Sequence, residues 1–167
     1  ADREGRIPLI IGEPRHPEVM GVASWSDRSV IFPGPEELEK WLLQEPSRQS
    51  LSLTAVAQTT CIRTIWETSK EILKKLCTNA KIFDTICSAT HRRQLEAAEL
   101  AAQADVMVVV GDRKSANTKH LAEICRKACP VVYQIEQAGE LTTGFLSGCT
   151  MAGLTAGAST PAGIIKE

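Results

Sequence analysis

Val106-Met-Val-Val-Val-Gly111-Asp-Arg-Lys-Ser115-Ala-Asn-Thr118 is the stretch whose reading decides the fold. The run Val106 to Val110 is an apolar strand, and Gly111 ends it. Ser115, Asn117 and Thr118 supply short polar side chains suited to a helix N-terminus, after which Leu121, Ile124 and Cys125 recur at the helical period. Strand, glycine, hydroxyls and helix in that order make one unit of an α/β sheet.

A companion of similar design lies near the end of the chain. Met151 to Ala156 reads as a strand. Gly157-Ala-Ser159-Thr-Pro161 then leads into a helix start, where Ser159 or Thr160 can act as N-cap and Pro161 suits the first turn. Small residues let a ligand approach backbone N–H groups, and the helix dipole favours an anion there. An ordinary capped helix has the same local sequence. The match between two strand ends is what points to a polar site, expected to be shared by both.

Strands and helices alternate outward from these segments. Pro8 to Gly12, Ser29 to Phe32 and Ser52 to Gln58 read as strands. Gly34-Pro35-Glu36-Glu37 opens a helix over Leu38, Trp41 and Leu42, and a longer helix over 60–76 carries an apolar stripe through Ile62, Ile65, Trp66 and Leu73 that belongs to the core. After Asn79 the pattern restarts: strand 82–87, helix 90–103, strand 105–110, helix 115–128, strand Val131 to Ile135, a loop near Gly139 to Gly148, strand 151–156 and the start of a last helix. The predicted class is α/β, with two related small parallel-sheet domains and flanking helices.

An internal repeat supports that reading. Ile10-Ile11-Gly12 and Val109-Val110-Gly111 end strands 99 residues apart (111 − 12), and the same offset carries His16 onto Ser115, Glu18 onto Asn117 and Thr60 onto Ser159. The expected domains are 1–79 and 80–167. The first lacks a helix and a strand that the second has before its matching strand, because Ala1 to Gly5 has room only for a helix end. It therefore reads as truncated at its N-terminus.

With 19 basic and 20 acidic residues the chain has a net charge of −1, so no broad attraction to nucleic acid or an anionic membrane is expected. Any anion site is local. Apolar stretches fall short of the roughly 20 residues of a membrane helix and no charged-then-apolar leader opens the sequence, which predicts a soluble, cytoplasmic protein. The 6 cysteines sit in a chain too rich in apolar strands to need a disulfide scaffold, and reduced thiols are expected. Cys125 and Cys129 lack a second ligand pair and read as thiols, not zinc ligands. Cys87 differs: it ends the apolar run from Ile82 and precedes the helix cap Ser88-Ala89-Thr90, which puts a thiol at the end of a sheet, where α/β folds bind ligands.

The loop Gly12-Glu-Pro-Arg-His16-Pro17-Glu18-Val19 holds two further candidates. Pro17 fixes its own φ and restricts His16, giving both flanking side chains a defined direction. A histidine can bind a phosphate oxygen, and a glutamate in a closed pocket can deliver a proton. A solvated histidine and a helix-start glutamate are the plain alternative. His91 and His120 lie among charged neighbours and read as surface residues.

Taken in order, Gly12-x-x-x-His16-Pro-Glu18-Val, Gln58-Thr59-Thr60, Ile86-Cys87-Ser-Ala-Thr90-x-x-Arg93-Gln94, Val110-Gly111-x-x-x-Ser115-x-Asn117-Thr118 and Thr155-Ala-Gly-Ala-Ser159-Thr-Pro161 resemble the 4-hydroxy-3-methylbut-2-enyl diphosphate reductase (LytB) family across nearly the whole chain. The resemblance implies the second and third lobes of a three-lobed α/β assembly. At the centre of that assembly a 4Fe-4S cluster is held by one cysteine from each lobe. It implies reductive removal of an allylic hydroxyl to give isopentenyl and dimethylallyl diphosphates, with electrons from a donor such as ferredoxin or flavodoxin.

By position, the resemblance makes Cys87 a cluster ligand, Glu18 the proton-delivering acid, and Thr59 the threonine beside the substrate hydroxyl. His16, Ser115, Asn117 and Ser159 become diphosphate ligands. Ala116 stands where a serine is often present, so only its N–H can face phosphate. The N-terminal lobe, with two cluster cysteines and two substrate histidines, has no counterpart in these residues, so the chain alone is expected to lack a stable cluster and to be inactive. The competing expectation is a two-domain binding protein for a phosphorylated metabolite without redox chemistry.

Overall fold

The apolar runs form parallel strands, each followed by a helix or turn that returns the chain to the start of the sheet. The structure is a computed structural model and describes residues 2–47 and 49–166. Its first unit holds β1 (Ile7–Ile11), α1 (Pro17–Ala23), β2 (Val30–Phe32), α2 (Pro35–Gln44), β3 (Leu53–Ala57), α3 (Arg63–Leu76) and β4 (Ala80–Phe83). The second holds α4 (Ser88–Ala101), β5 (Val106–Val110), α5 (Ala116–Arg126), β6 (Val131–Ile135), β7 (Ala152–Ala156) and α6 (Ala162–Lys166). Short 3-10 turns occupy Asp2–Glu4, Ala138–Glu140 and Thr143–Leu146.

The sheets have strand orders β2-β1-β3-β4 and β6-β5-β7, with every pairing parallel. In the first unit Leu9, Ile11, Leu53, Ala55 and Ala57 turn one sheet face onto Leu38 and Leu42 of α2 and Trp66 and Leu73 of α3. In the second, Met107 and Val109 meet Ala97 and Ala101 of α4 and Leu121, Ala122 and Cys125 of α5, while Val108, Val110 and Ile135 pack with Ala156 and Ile164 on the other face. The central strand β5 is buried at every position and so on both faces, whereas β3 alternates buried and half-buried residues and β7 leaves Ala152 and Leu154 exposed.

The repeat is structural. β1 and β5 start 99 residues apart (106 − 7), α1 and α5 likewise (116 − 17), and so do β3 and β7 (152 − 53). β2 and β6 depart from it (131 − 30 = 101), because α5, with 11 residues, outlasts α1, with 7, by more than the shorter connection after it takes back.

The expected boundary at Asn79 moves. The units divide between Cys87 and Ser88, and β4 pairs with β3 in register Leu53↔Ala80 to Val56↔Phe83. Arg6, 6% exposed, supplies the reason. Its guanidinium donates to Leu53 O (2.6 and 3.0 Å), Asn79 O (2.6 Å) and Asn79 Oδ1 (3.0 Å), fastening the start of β4 to the first sheet. Asn79, the expected boundary, is thus a strand entry. The strand expected to precede α4 belongs to the first unit, so only α4 lacks a counterpart there. Ala1 and Glu167, the outer ends of the expected domains, lie outside the described residues.

Two further expectations change. The helix expected from residue 60 begins at Arg63, since Cys61 N–H closes a turn on Gln58 O (2.9 Å). Cys87 does not end a strand: β4 stops at Phe83 and Cys87 follows as an exposed residue of the loop.

Candidate functional site

In the first unit the candidates gather at the carboxyl ends of β1 and β3. Gly12 ends β1 with no room for a side chain, as a Cβ there would lie 2.7 Å from Gln58 Cβ and 2.9 Å from Val19 Cγ2. His16 is the N-cap of α1, and its Nδ1 accepts from Glu18 N–H at 3.2 Å. With Nδ1 accepting, the neutral imidazole carries its proton on Nε2, which is then a donor for an anion.

Glu18, in the first turn of α1, reaches the loop after β3. Its Oε1 accepts from Thr59 N–H at 2.8 Å and its Oε2 from the Thr59 hydroxyl at 3.0 Å. Thr59 O in turn accepts from Cys87 N–H at 3.0 Å. Glu18, Thr59 and Cys87 are therefore joined by one continuous set of hydrogen bonds, which sequence order alone does not show.

Gln58, 2% exposed, holds the two loops in register. Its Oε1 accepts from Glu13 N–H (3.0 Å) and its Nε2 donates to Thr60 Oγ1 (3.1 Å). The sequence reading gave Gln58 no role. The available signal was an amide at the last position of an apolar strand, where burial obliges it to bond to something.

In the second unit Ser115 is the N-cap of α5, accepting from Thr118 N–H at 3.4 Å, and so matches His16 through the repeat. Ala116 is buried. Asn117 is 5% exposed and neither its Nδ2 nor its Oδ1 has a partner; Thr118 Oγ1, fully buried, has none either. Buried polar atoms left unsatisfied cost free energy that a ligand or ordered water would recover. Ser159 lines a cavity of about 460 Å³ with Gly111, Lys114, Thr160 and Pro161 at the strand ends. The Thr160 hydroxyl donates to Val110 O (3.0 Å) and so pins the loop after β7 onto β5. α6 follows only at Ala162, with five residues in all, so Ser159 and Thr160 stand in the loop before it and not at its N-cap as expected.

Three of the other thiols are ill suited to metal. Burial pushes Cys61 up to about 12 and Cys125 up to about 11, keeping both as neutral thiols. Cys129 donates to Ala104 O (3.3 Å) and Val131 O (3.2 Å). Among the described residues no three His, Cys, Asp or Glu side chains group as a metal site, and no helix is long and apolar enough to cross a membrane.

The LytB protein profile matches residues 1–167. The chain belongs to this family. The 4-hydroxy-3-methylbut-2-enyl diphosphate reductase of Caldanaerobacter subterraneus subsp. tengcongensis is 41% identical over 166 residues, covering 99% of this chain and 56% of the relative. A solved (E)-4-hydroxy-3-methyl-but-2-enyl diphosphate reductase, described as the terminal enzyme of the non-mevalonate pathway, is 32% identical, with a TM-score of 0.51, covering 99% of this chain and 58% of its own. The corresponding reductase of Plasmodium falciparum shares the fold, with a TM-score of 0.88 at 24% identity over 99% of this chain and 52% of its own. This LytB chain spans about half the length of the relatives it matches.

Proposed function

We propose that this chain supplies two lobes of a cytoplasmic 4-hydroxy-3-methylbut-2-enyl diphosphate reductase of isoprenoid biosynthesis. The overall change adds two electrons and two protons to the allylic alcohol and releases water. The observation that carries this reading is the bonded set Glu18, Thr59 and Cys87 at the strand ends of a LytB chain. A carboxyl and a hydroxyl in direct contact, with the backbone of a cysteine tied to the same loop, are groups of the types the reaction needs, and this supports the reading.

Glu18 serves as the acid that protonates the departing hydroxyl, and Thr59 shares its hydroxyl between that group and the carboxylate. In the first unit His16 Nε2–H is a donor suited to a phosphate oxygen; in the second the Ser115 and Ser159 hydroxyls, the Asn117 amide and the Ala116 N–H are such donors, with α5 adding its N-terminal dipole. Cys87 would be one thiolate ligand of the family's 4Fe-4S cluster, which would supply electrons taken from a ferredoxin- or flavodoxin-type donor. One exposed thiol does not fit a cluster that takes several, so these residues alone do not hold it, and no step is routed through it.

The test is turnover by a complete protein containing these residues, purified without oxygen and given the substrate and a chemical reductant. Formation of isopentenyl and dimethylallyl diphosphates, lost in Cys87→Ala, supports the reading. Diphosphate binding without turnover favours the non-redox binding protein instead.

A further inference from the structure

We propose that Thr85 is a positioning residue that takes the place of backbone at the end of β4 and thereby presents Cys87 beside Thr59. β4 and β3 pair only as far as Val56↔Phe83. The next residue of β3, Ala57, would ordinarily satisfy its outward N–H and C=O on the backbone of a longer β4. It does not. Ala57 N–H donates to Thr85 Oγ1 at 2.9 Å, and the same hydroxyl donates to Ala57 O at 2.5 Å. One side chain thus fills both the acceptor and the donor place of a ladder residue, and the backbone of 84–87 is freed from the sheet.

The freed segment is then fixed elsewhere. Asp84 Oδ2 accepts from Arg63 Nη1 at 2.6 Å, tying the segment to the first turn of α3, and Asp84 Oδ1 accepts from Ile86 N–H at 3.3 Å. Cys87 N–H reaches Thr59 O at 3.0 Å. A hydroxyl is essential to this arrangement because only a group that both donates and accepts can satisfy Ala57. Without it Ala57 regains partners by extending β4, which draws Cys87 toward the sheet edge and breaks its bond to Thr59.

The inference bears on function through the proposed role of Cys87, but its test does not depend on that role. Amide hydrogen exchange is measured residue by residue on the chain and on Thr85→Val, which keeps the branched shape and loses the hydroxyl, and Thr85→Ser, which keeps the hydroxyl. In Thr85→Val the Cys87 amide is expected to exchange roughly tenfold faster or more, while Ile11 and Leu53 in the core keep their protection. Thr85→Ser is expected to match the parent. Unchanged protection of Cys87 in Thr85→Val, or equal loss in Thr85→Ser, overturns the proposal. If Thr85→Val does not fold, Thr85→Ser together with Thr85→Asn decides, since an amide also donates and accepts and is expected to restore Cys87 protection; failure of both to protect it rejects the idea. Iron bound per chain in the complete protein separates the two readings. Full iron content in Cys87→Ala removes Cys87 from the cluster and leaves the positioning role, read by exchange in Thr85→Val, standing.

Discussion

Thr59 donates both its amide N–H and its hydroxyl to one carboxylate, that of Glu18, at 2.8 and 3.0 Å. Two bonds from a single residue fix the plane of the carboxyl group, and they bring α1 and the loop after β3 together at the point where chemistry is proposed. In the complete reductase Glu18→Gln keeps the shape but cannot deliver a proton. Its kcat is expected to fall by about 10²- to 10⁴-fold with KM little changed, whereas Ser159→Ala is expected chiefly to raise KM. Steady-state kinetics with a chemical reductant check both, and normal turnover by Glu18→Gln removes Glu18 as the acid.

The thiols should separate by reactivity. At about pH 8 a thiol with a value near 12, as for Cys61, is ionised in only about one molecule in 10⁴. Exposed Cys87 is therefore expected to take up iodoacetamide well before Cys61 or Cys125 in the folded chain, with the difference vanishing in denaturant. Site-resolved mass spectrometry reads the order directly. Early labelling of Cys61 contradicts its burial.

Gly111 holds φ at +144°, and a Cβ there would stand 2.6 Å from Thr160 Oγ1 and 2.8 Å from Thr118 Oγ1. Gly111→Ala combines a backbone region that L side chains avoid with a clash against two hydroxyls. It is expected to destabilise the second unit by about 1–3 kcal/mol. Chemical denaturation compares it with Gly139→Ala, whose Cβ would meet nothing within 4 Å. Equal stability of the two variants defeats the account.

Much of this architecture is legible in the residues, for identifiable reasons. Val106 to Val110 and Ile7 to Ile11 are apolar runs ended by Gly111 and Gly12, and runs bounded by glycine locate strands well. The offset of 99 (111 − 12) is equally visible because it links like residue types at like positions. The unit boundary was not legible. It depends on Arg6 reaching Asn79 across 73 positions of chain, and no local pattern reports a contact of that span. Ile82 to Cys87 looks continuous in sequence and so puts Cys87 at a strand end, while the Thr85 hydroxyl that bonds both polar groups of Ala57 is indistinguishable in sequence from any strand threonine. The bonds from Thr59 to Glu18 and Gln58 to Glu13 are likewise tertiary.

Acid should loosen the start of β5. Asp105 Oδ2 accepts from Thr150 N–H at 2.8 Å and Met151 N–H at 3.0 Å, and those bonds, led by Met151, hold its carboxyl below the ordinary 3.8. A carboxyl with a lowered folded-state value contributes stability that is present above the unfolded value and lost as pH falls through the folded one. Asp105→Asn is therefore expected to lower stability at neutral pH and to flatten the loss below about pH 4, relative to the parent. Denaturation midpoints across that range test the sign; parallel curves for parent and variant rule out the linkage.

Asn117 separates stability from function most sharply. Its side-chain nitrogen and oxygen are both buried without partners, as is the hydroxyl of the next residue, Thr118. A buried amide in that state costs about 1–3 kcal/mol, and replacing it with an apolar group of similar size removes the penalty. If the site exists to bind diphosphate oxygens, the cost is compensated only when the ligand arrives. Asn117→Leu is thus expected to leave the ligand-free chain as stable as the parent or more so by about 1 kcal/mol, and to raise KM in the complete reductase by about tenfold or more. Asn117→Asp places a negative charge where an anion is proposed to sit, and is expected to weaken binding further while sparing the fold less. Thermal unfolding and substrate titration of the two variants give the contrast. A structural role for Asn117, with its amide bonded within the fold, predicts the opposite pattern: Asn117→Leu loses stability and KM stays put.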